Sequence, residues 1–232
     1  MNDLYLSNIE LYYSPAGLVN GILHIVGEDF YHISKVMRHI RGDIIFITDG
    51  KGNIFESEIK DIDKSYLSVK PLNSYHYKNE KSNLIFCIPK LKNPDRFEFA
   101  LEKCVELGIT HFIIFESRRS VSKGDRIDRW NKILIAAMKQ SLTSFLPEIK
   151  IVSSINEIFS AAGEKIGFEQ NTSKKIGTLK IKPGINYYFV FGPEGGLDED
   201  ELELFNADNL YNLAGNRLRT ETAVIKAASI LQ

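Results

Sequence analysis

The chain has 232 residues, 44% of them hydrophobic, with 29 Lys+Arg against 30 Asp+Glu and a net charge of −1. A chain of this order buries roughly 70–75% of its unfolded surface, so neither a disulfide nor a metal is needed to fold it, and disorder as the main state is excluded. The near-neutral balance also excludes a global polyanion-attracting field; any nucleic-acid contact must come from a local patch.

The opening residues Met1-Asn2-Asp3-Leu4-Tyr5 carry no basic region and no apolar run. No stretch approaches the ~18 consecutive apolar residues of a membrane span. A cytoplasmic location is expected. Beyond the opening, Phe30, Ile33, Val36 and Met37 fall at helical spacing and predict a helix over residues 28–39. Ile44–Thr48 is a β-branched run, and Asp49, Gly50, Lys51, Gly52 and Asn53 supply turn chemistry. Return strands are predicted over 54–59 and 66–69. Residues 1–72 therefore read as a small β-barrel domain, and the polar stretch 73–82 as a linker. From 83 to 232 strands alternate with helices. Strands are expected over 84–88, His111–Phe115, 165–168, 187–191 and 210–213. Helices are expected over 95–107, capped by Asp95 and stopped by Gly108, then over 125–144, 198–205 and 220–231. That alternation indicates an α/β domain with a mostly parallel sheet covered on both faces. Cys87 and Cys104 are too far apart for a CxxC motif and read as small buried hydrophobes.

Three features point to chemistry. Gly192-Pro193-Glu194-Gly195-Gly196 follows an apolar strand and precedes a helix. In open α/β sheets ligands bind at the carboxyl ends of strands, and glycines there admit close backbone approach. It is neither a GxGxxG turn nor a GxxxxGK[ST] loop, so nothing in it argues for NAD or ATP; a plain strand-to-helix turn is the competing reading. The second feature is Leu213 to Ala223, where a glycine-bearing loop leads into a helix with Thr220 as candidate N-cap. Glu221 there suits the positive end of the helix dipole, whereas Arg217 and Arg219 do not unless an anion meets them. The third is basic: Arg118, Arg119, Lys123, Arg126, Arg129, Lys132 and Lys139 against Asp125 and Asp128, with Lys35, Arg38, His39 and Arg41 nearer the start. Together these suggest a polyanion partner, although each alone reads as a solvated face. The five histidines are scattered, with no metal-ligand spacing, so no metal is expected.

The glycine loop at 192–196, followed by Leu-Arg-Thr-Glu-Thr-Ala at 218–223, resembles the two signature loops of the RsmE family, SPOUT-class methyltransferases of small-subunit ribosomal RNA. The likeness extends to Glu102-Lys103-Cys104-Val105-Glu106-Leu107-Gly108, to Trp130, Ala136-Ala137, Gln140-Ser141 and Pro147-Glu148-Ile149, and to His32, Val36, Arg38 and Gly42-Asp43. Two positions depart from the pattern. Leu142-Thr143 stand where the family commonly has a small residue and Arg, and Asn216 stands where its first Arg of the second loop falls, with Arg217 one place later.

The resemblance implies a SPOUT domain with a deep trefoil knot, a PUA-like N-terminal barrel, and a homodimer. It implies methyl transfer from S-adenosylmethionine to N3 of one uridine in the decoding region of 16S rRNA within the small ribosomal subunit. Carried onto this chain, it makes Arg219, Glu194 and Glu221 the candidate catalytic residues. Gly192, Pro193, Gly195, Gly196, Leu213, Leu218 and Thr222 become the candidate cofactor site, and Lys35, Arg38, Arg41, Lys139 and Arg217 the candidate RNA contacts. Two alternatives stay open: a non-catalytic RNA-binding or ribosome-assembly factor of the same fold, and a knotted methyltransferase with another RNA target.

Overall fold

A computed structural model of the chain describes residues 8–119 and 124–231. Two compact units emerge from its contacts. The described residues up to Asn79 form one together with Met138–Leu146; Glu80–Ala137 and the chain from Pro147 onward form the other.

The first unit holds a five-stranded sheet in the order β1-β3-β4-β5-β2, where β1 is Leu11–Tyr13, β2 Leu23–Val26, β3 Ile44–Thr48, β4 Asn53–Ile62 and β5 Tyr66–His76. β1 pairs parallel to β3, and the remaining pairs are antiparallel. Leu23, Ile25, Ile45, Ile47, Ile59, Leu67 and Val69 alternate inward to form its core. β5 continues to His76, so the start of the stretch read as a linker is paired strand: Asn53 faces His76 and Phe55 faces Ser74. Its polar side chains decorate a ladder, which a composition-based reading takes for loop. The predicted helix over 28–39 is a short helix α1, Gly27–Tyr31, continued by a π-helical turn, His32–Val36. Asp49 closes the β3–β4 turn, accepting from the Lys51 and Asn53 amides at 2.8 and 3.2 Å. Ser144 and Leu146 pair with Gly52 and Gly50 of that turn.

The second unit is a six-stranded, wholly parallel sheet in the order β11-β9-β10-β6-β7-β8. Its strands are β6 Leu84–Pro89, β7 His111–Phe115, β8 Glu148–Val152, β9 Glu164–Phe168, β10 Tyr187–Val190 and β11 Leu210–Tyr211. β6 and β10 are buried along their whole length, as expected where helices cover both faces. Cys87 and Cys104 are fully buried, and burial pushes both thiols up.

The helices are α2 Pro94–Glu106, α3 Ile127–Gln140, α4 Ile155–Ser160, α5 Glu199–Glu203 and α6 Thr220–Ile230. The sequence reading missed β8 and α4, whose short amphipathic runs fall between longer elements. The cap of α2 is Asn93 rather than Asp95; its side chain accepts from the Asp95 and Arg96 amides at 2.9 and 3.2 Å. Pro94 at the first helical position has no N–H to cap, which moves the cap one residue ahead of it. Gly108, at φ +84°, ends the helix as expected. α5 begins with a reciprocal capping box between Asp198 and Glu201. Glu201 is 3% exposed and also accepts from Ser117 Oγ and the Arg118 amide, both at 3.1 Å, which ties the segment after β7 to α5.

Candidate cofactor and catalytic site

Three loops leave neighbouring parallel strands at the same edge of the sheet: the one after β9, the one after β10 and the one after β11. Between them lies a cavity of about 320 Å³. Its walls are Phe168, Glu169 and Gln170 from the first loop, Phe191 to Gly196 from the second, and Leu213, Ala214 and Asn216 to Leu218 from the third, with Thr220 and Ala223 from α6. An open parallel sheet opens to ligands at this edge because the loops diverge around it.

The glycine loop is built for close packing. A Cβ on Gly192 would sit 3.0 Å from the Leu197 amide nitrogen and 3.3 Å from the Gly196 backbone, none of which can yield. Gly196 has φ +74° and closes the turn by donating to the Pro193 carbonyl at 2.9 Å. The Thr220 hydroxyl donates to the Gly192 carbonyl at 2.9 Å, so the start of α6 is fastened to the glycine loop. This corrects the expectation that Thr220 caps its own helix. The N-cap position is Arg219, whose side chain makes no cap bond.

Six of the seven candidate cofactor residues, Gly192, Pro193, Gly195, Gly196, Leu213 and Leu218, line this cavity. Thr222 does not; it is exposed on α6, and the Thr two positions earlier faces the cavity instead. Helical geometry separates the two by about 200° around the axis. Of the candidate catalytic residues, Glu194 lines the cavity. Arg219 is exposed and outside the lining. Glu221 is 9% exposed and lies 3.6 Å from Arg96 Nε, with its Oε2 lacking a hydrogen-bond partner. Arg217 lines the cavity and donates to the Glu194 carbonyl at 3.3 Å. The sequence reading missed Phe168, Glu169, Gln170 and Thr220. The first three follow a correctly placed strand, and only the strand order reveals that β9 borders β10.

Three cations of the basic run are neutralised by carboxylates. Arg118 pairs with Asp198 and Asp200, Arg129 makes two bonds to Glu98 at 2.6 and 2.7 Å, and Lys139 meets Asp29 at 2.5 Å. Arg119 donates to the Gly195 carbonyl at 2.9 Å, behind the glycine loop. Lys123 lies outside the described residues. In the first unit Lys35, Arg38 and Arg41 are exposed beside the exposed apolar Tyr31, Val36, Met37 and Ile40. Arg38 holds a left-handed φ of +58°, a costly conformation for a residue with a Cβ and one that clusters at functional surfaces. Leu142 is also left-handed, at φ +56°, at a position where the resemblance implies a small residue. Among the described residues no group of three or more His, Cys, Asp or Glu could hold a metal ion, and no helix is long and apolar enough to cross a membrane.

A profile of the RNA methyltransferase domain family matches residues 78–232, and one of the RNA methyltransferase PUA domain matches residues 25–72. The fold and its loop-built cavity thus define an α/β RNA methyltransferase domain joined to a PUA-like domain. Ribosomal RNA small subunit methyltransferase E of Bacillus subtilis (strain 168) is 31% identical over 225 residues, covering 89% of this chain and 88% of that protein. The protein of the same name from Rickettsia conorii is 28% identical over 216 residues, covering 90% and 88%. Among solved structures, ribosomal RNA small subunit methyltransferase E from Neisseria gonorrhoeae, bound to S-adenosyl methionine, superposes with a TM-score of 0.83 at 27% identity over 97% of each chain. A probable rRNA-methyltransferase from Porphyromonas gingivalis superposes with the same TM-score and identity over 96% of this chain and 97% of that one. The chain belongs to the ribosomal RNA small subunit methyltransferase E family.

Proposed function

We propose that this chain transfers a methyl group from S-adenosylmethionine to N3 of one uridine in the decoding region of 16S rRNA. The observation that carries the reading is the cavity between the two loops that Thr220 and Gly192 tie together. Its residues fit the cofactor. Gly192 leaves room that a Cβ would fill, and Phe191, Leu213, Leu218 and Ala223 offer apolar surface to an adenine ring. Loop amides and carbonyls can serve the ring's edge, and the Glu169 carboxylate can accept from ribose hydroxyls. When bound, S-adenosylmethionine supplies a methyl carbon already made electrophilic by its sulfonium.

The chain's residues then have two tasks. They orient the acceptor nitrogen in line with that carbon, an effect worth several kcal/mol. They also manage the N3 proton, which uracil retains at neutral pH. Glu194, on the cavity wall, is the proposed proton acceptor. Arg219, with no protein anion beside it among the described residues, is the proposed cation for the uracil anion. Glu221 is engaged with Arg96 and serves by holding it. Lys35, Arg38 and Arg41 grip RNA phosphate through the N-terminal unit. The chain works as a cytoplasmic homodimer on the small ribosomal subunit.

The test is methyl transfer from labelled S-adenosylmethionine to small subunits lacking the modification, followed by mapping of the labelled nucleotide. Label on N3 of one decoding-region uridine is expected, lost in Arg219→Ala while cofactor affinity stays. Label elsewhere, or none from a protein that binds the cofactor, refutes the assignment.

A further inference from the structure

A second cavity, of about 550 Å³, opens at the same edge of the sheet, one strand further along. It lies where the chain leaves β6, β7 and β10, and it shares Glu194 and Gly195 with the first cavity. Its cationic wall consists of Lys92, Arg96 and Arg119, against the carboxylates of Asp95 and Glu194. We propose that this second cavity seats the sugar-phosphate of the target nucleotide, with Lys92, Arg96 and Arg119 on its phosphate, so that the base crosses Glu194–Gly195 toward the first cavity. The inference rests on the methyltransferase reading above and adds a substrate site to it.

The state of the three cations carries the argument. Elsewhere in the same unit, Lys90, Lys103, Arg118 and Arg129 each meet a carboxylate within hydrogen-bonding reach. Among the described residues, the cations of this cavity do not. Lys92 is exposed and makes no ion pair among the described residues. Arg119 spends its Nη1 on the Gly195 and Leu197 carbonyls, neutral acceptors that leave its charge uncompensated. Arg96 approaches Glu221 only through Nε at 3.6 Å, beyond a good hydrogen bond. Glu221 is nine-tenths buried and its Oε2 has no partner, so the carboxylate holds Arg96 by charge and leaves the guanidinium donors to a ligand. The first amides of α2 are occupied, because Asn93 accepts from Asp95 and Arg96. An anion in this cavity is therefore met by side chains, and three such donors suit a phosphate diester.

Arg119 lines the second cavity and reaches the wall that the two cavities share. Its guanidinium braces the carbonyl of Gly195, and Gly195 forms part of each wall. Lys90, 5% exposed, bonds Glu116 at 2.8 Å and Asp125 at 2.7 Å, on either side of Arg119 in the chain.

The experiment measures binding of unmethylated small ribosomal subunits by the full chain across a salt series, alongside S-adenosylmethionine affinity. Lys92→Ala is the main variant, because Lys92 makes no ion pair among the described residues whose loss would disturb folding. It is expected to weaken subunit binding about three- to tenfold near 0.1 M salt and to reduce the salt slope by about one, with cofactor affinity unchanged and Lys92→Arg restoring both. Unchanged subunit affinity and slope in Lys92→Ala, with wild type still binding and methylating, overturns the second cavity alone. A wild type that binds the cofactor but not the subunit overturns the methyltransferase reading and this inference together.

Discussion

Replacing Thr220 by Val removes one hydroxyl and keeps the shape. Thr220 is 6% exposed, and its Oγ donates to the Gly192 carbonyl at 2.9 Å, across 28 residues of chain. A neutral hydrogen bond of this kind contributes about 0.5–1.5 kcal/mol, and a stranded acceptor costs about 1–3 kcal/mol. Gly192 is half-buried, so water can reach its carbonyl in part, and the loss settles near 1–2 kcal/mol. In a domain of this size that lowers Tm by about 2–8 °C. The same bond holds the glycine loop against α6. If its loss falls on the bound state, Kd for S-adenosylmethionine rises by about tenfold, since each 1.4 kcal/mol is a decade. Calorimetric titration with the cofactor and a thermal scan, on Thr220→Val and on Thr220→Ser, decide the matter. Serine keeps the donor and should stay near wild type. A Val variant with wild-type Tm and wild-type Kd refutes the claim that this bond joins the two loops.

Gly192→Ala should abolish measurable cofactor binding by calorimetry while the chain still folds, because the added methyl meets the Leu197 amide at 3.0 Å and overpacking costs about 1–3 kcal/mol. Lys90→Met should destabilise the second unit by about 1–3 kcal/mol in urea unfolding, since it leaves Glu116 and Asp125 facing one another, though both can rehydrate. Burial works against the charge on Lys90, but its bonds to Asp125 and Glu116 outweigh that and hold its pKa above the ordinary value. Asp43 accepts from the Ile40 amide at 3.0 Å and from His39 at 2.9 Å, in that order of effect, and its pKa is lowered from 3.8. Its contribution to stability is thus present above the unfolded value and lost as pH falls through the lower folded value. An NMR titration should give a midpoint below 3.8, and Asp43→Asn should remove that part of the acid-side slope; a midpoint at or above the ordinary value contradicts the bonding.

Much of the site lies in local sequence. Gly192 to Gly196 and Leu218 to Ala223 are contiguous runs with restricted backbone chemistry, and each sits where a strand hands over to a helix. Loops of that kind are legible because their constraints act between near neighbours. The bond that Thr220 makes is hidden from the sequence for the opposite reason. A threonine before a helix has a plausible local use as a cap, and nothing nearby discloses a carbonyl 28 residues earlier. The basic run from Arg118 to Lys139 misled in a similar way. Its charges are real, but Asp198, Asp200, Glu98 and Asp29 reach three of them, Arg118, Arg129 and Lys139, from far along the chain.

The sequence by itself determined that strands and helices alternate after residue 83, which turns are glycine-dependent, and which residue types stand at strand ends. Hydrophobic period and turn chemistry are short-range properties, so they survive in the linear text. Only the tertiary structure decided the strand order β11-β9-β10-β6-β7-β8, and with it everything that depends on neighbours in the sheet. That order brings the loops after β9, β10 and β11 around one cavity and those after β6, β7 and β10 around a second. It also determines which cations find a carboxylate and which, like Lys92, are left facing solvent. Coulomb energy depends on separation in space, and sheet order sets that separation among groups distant in the chain.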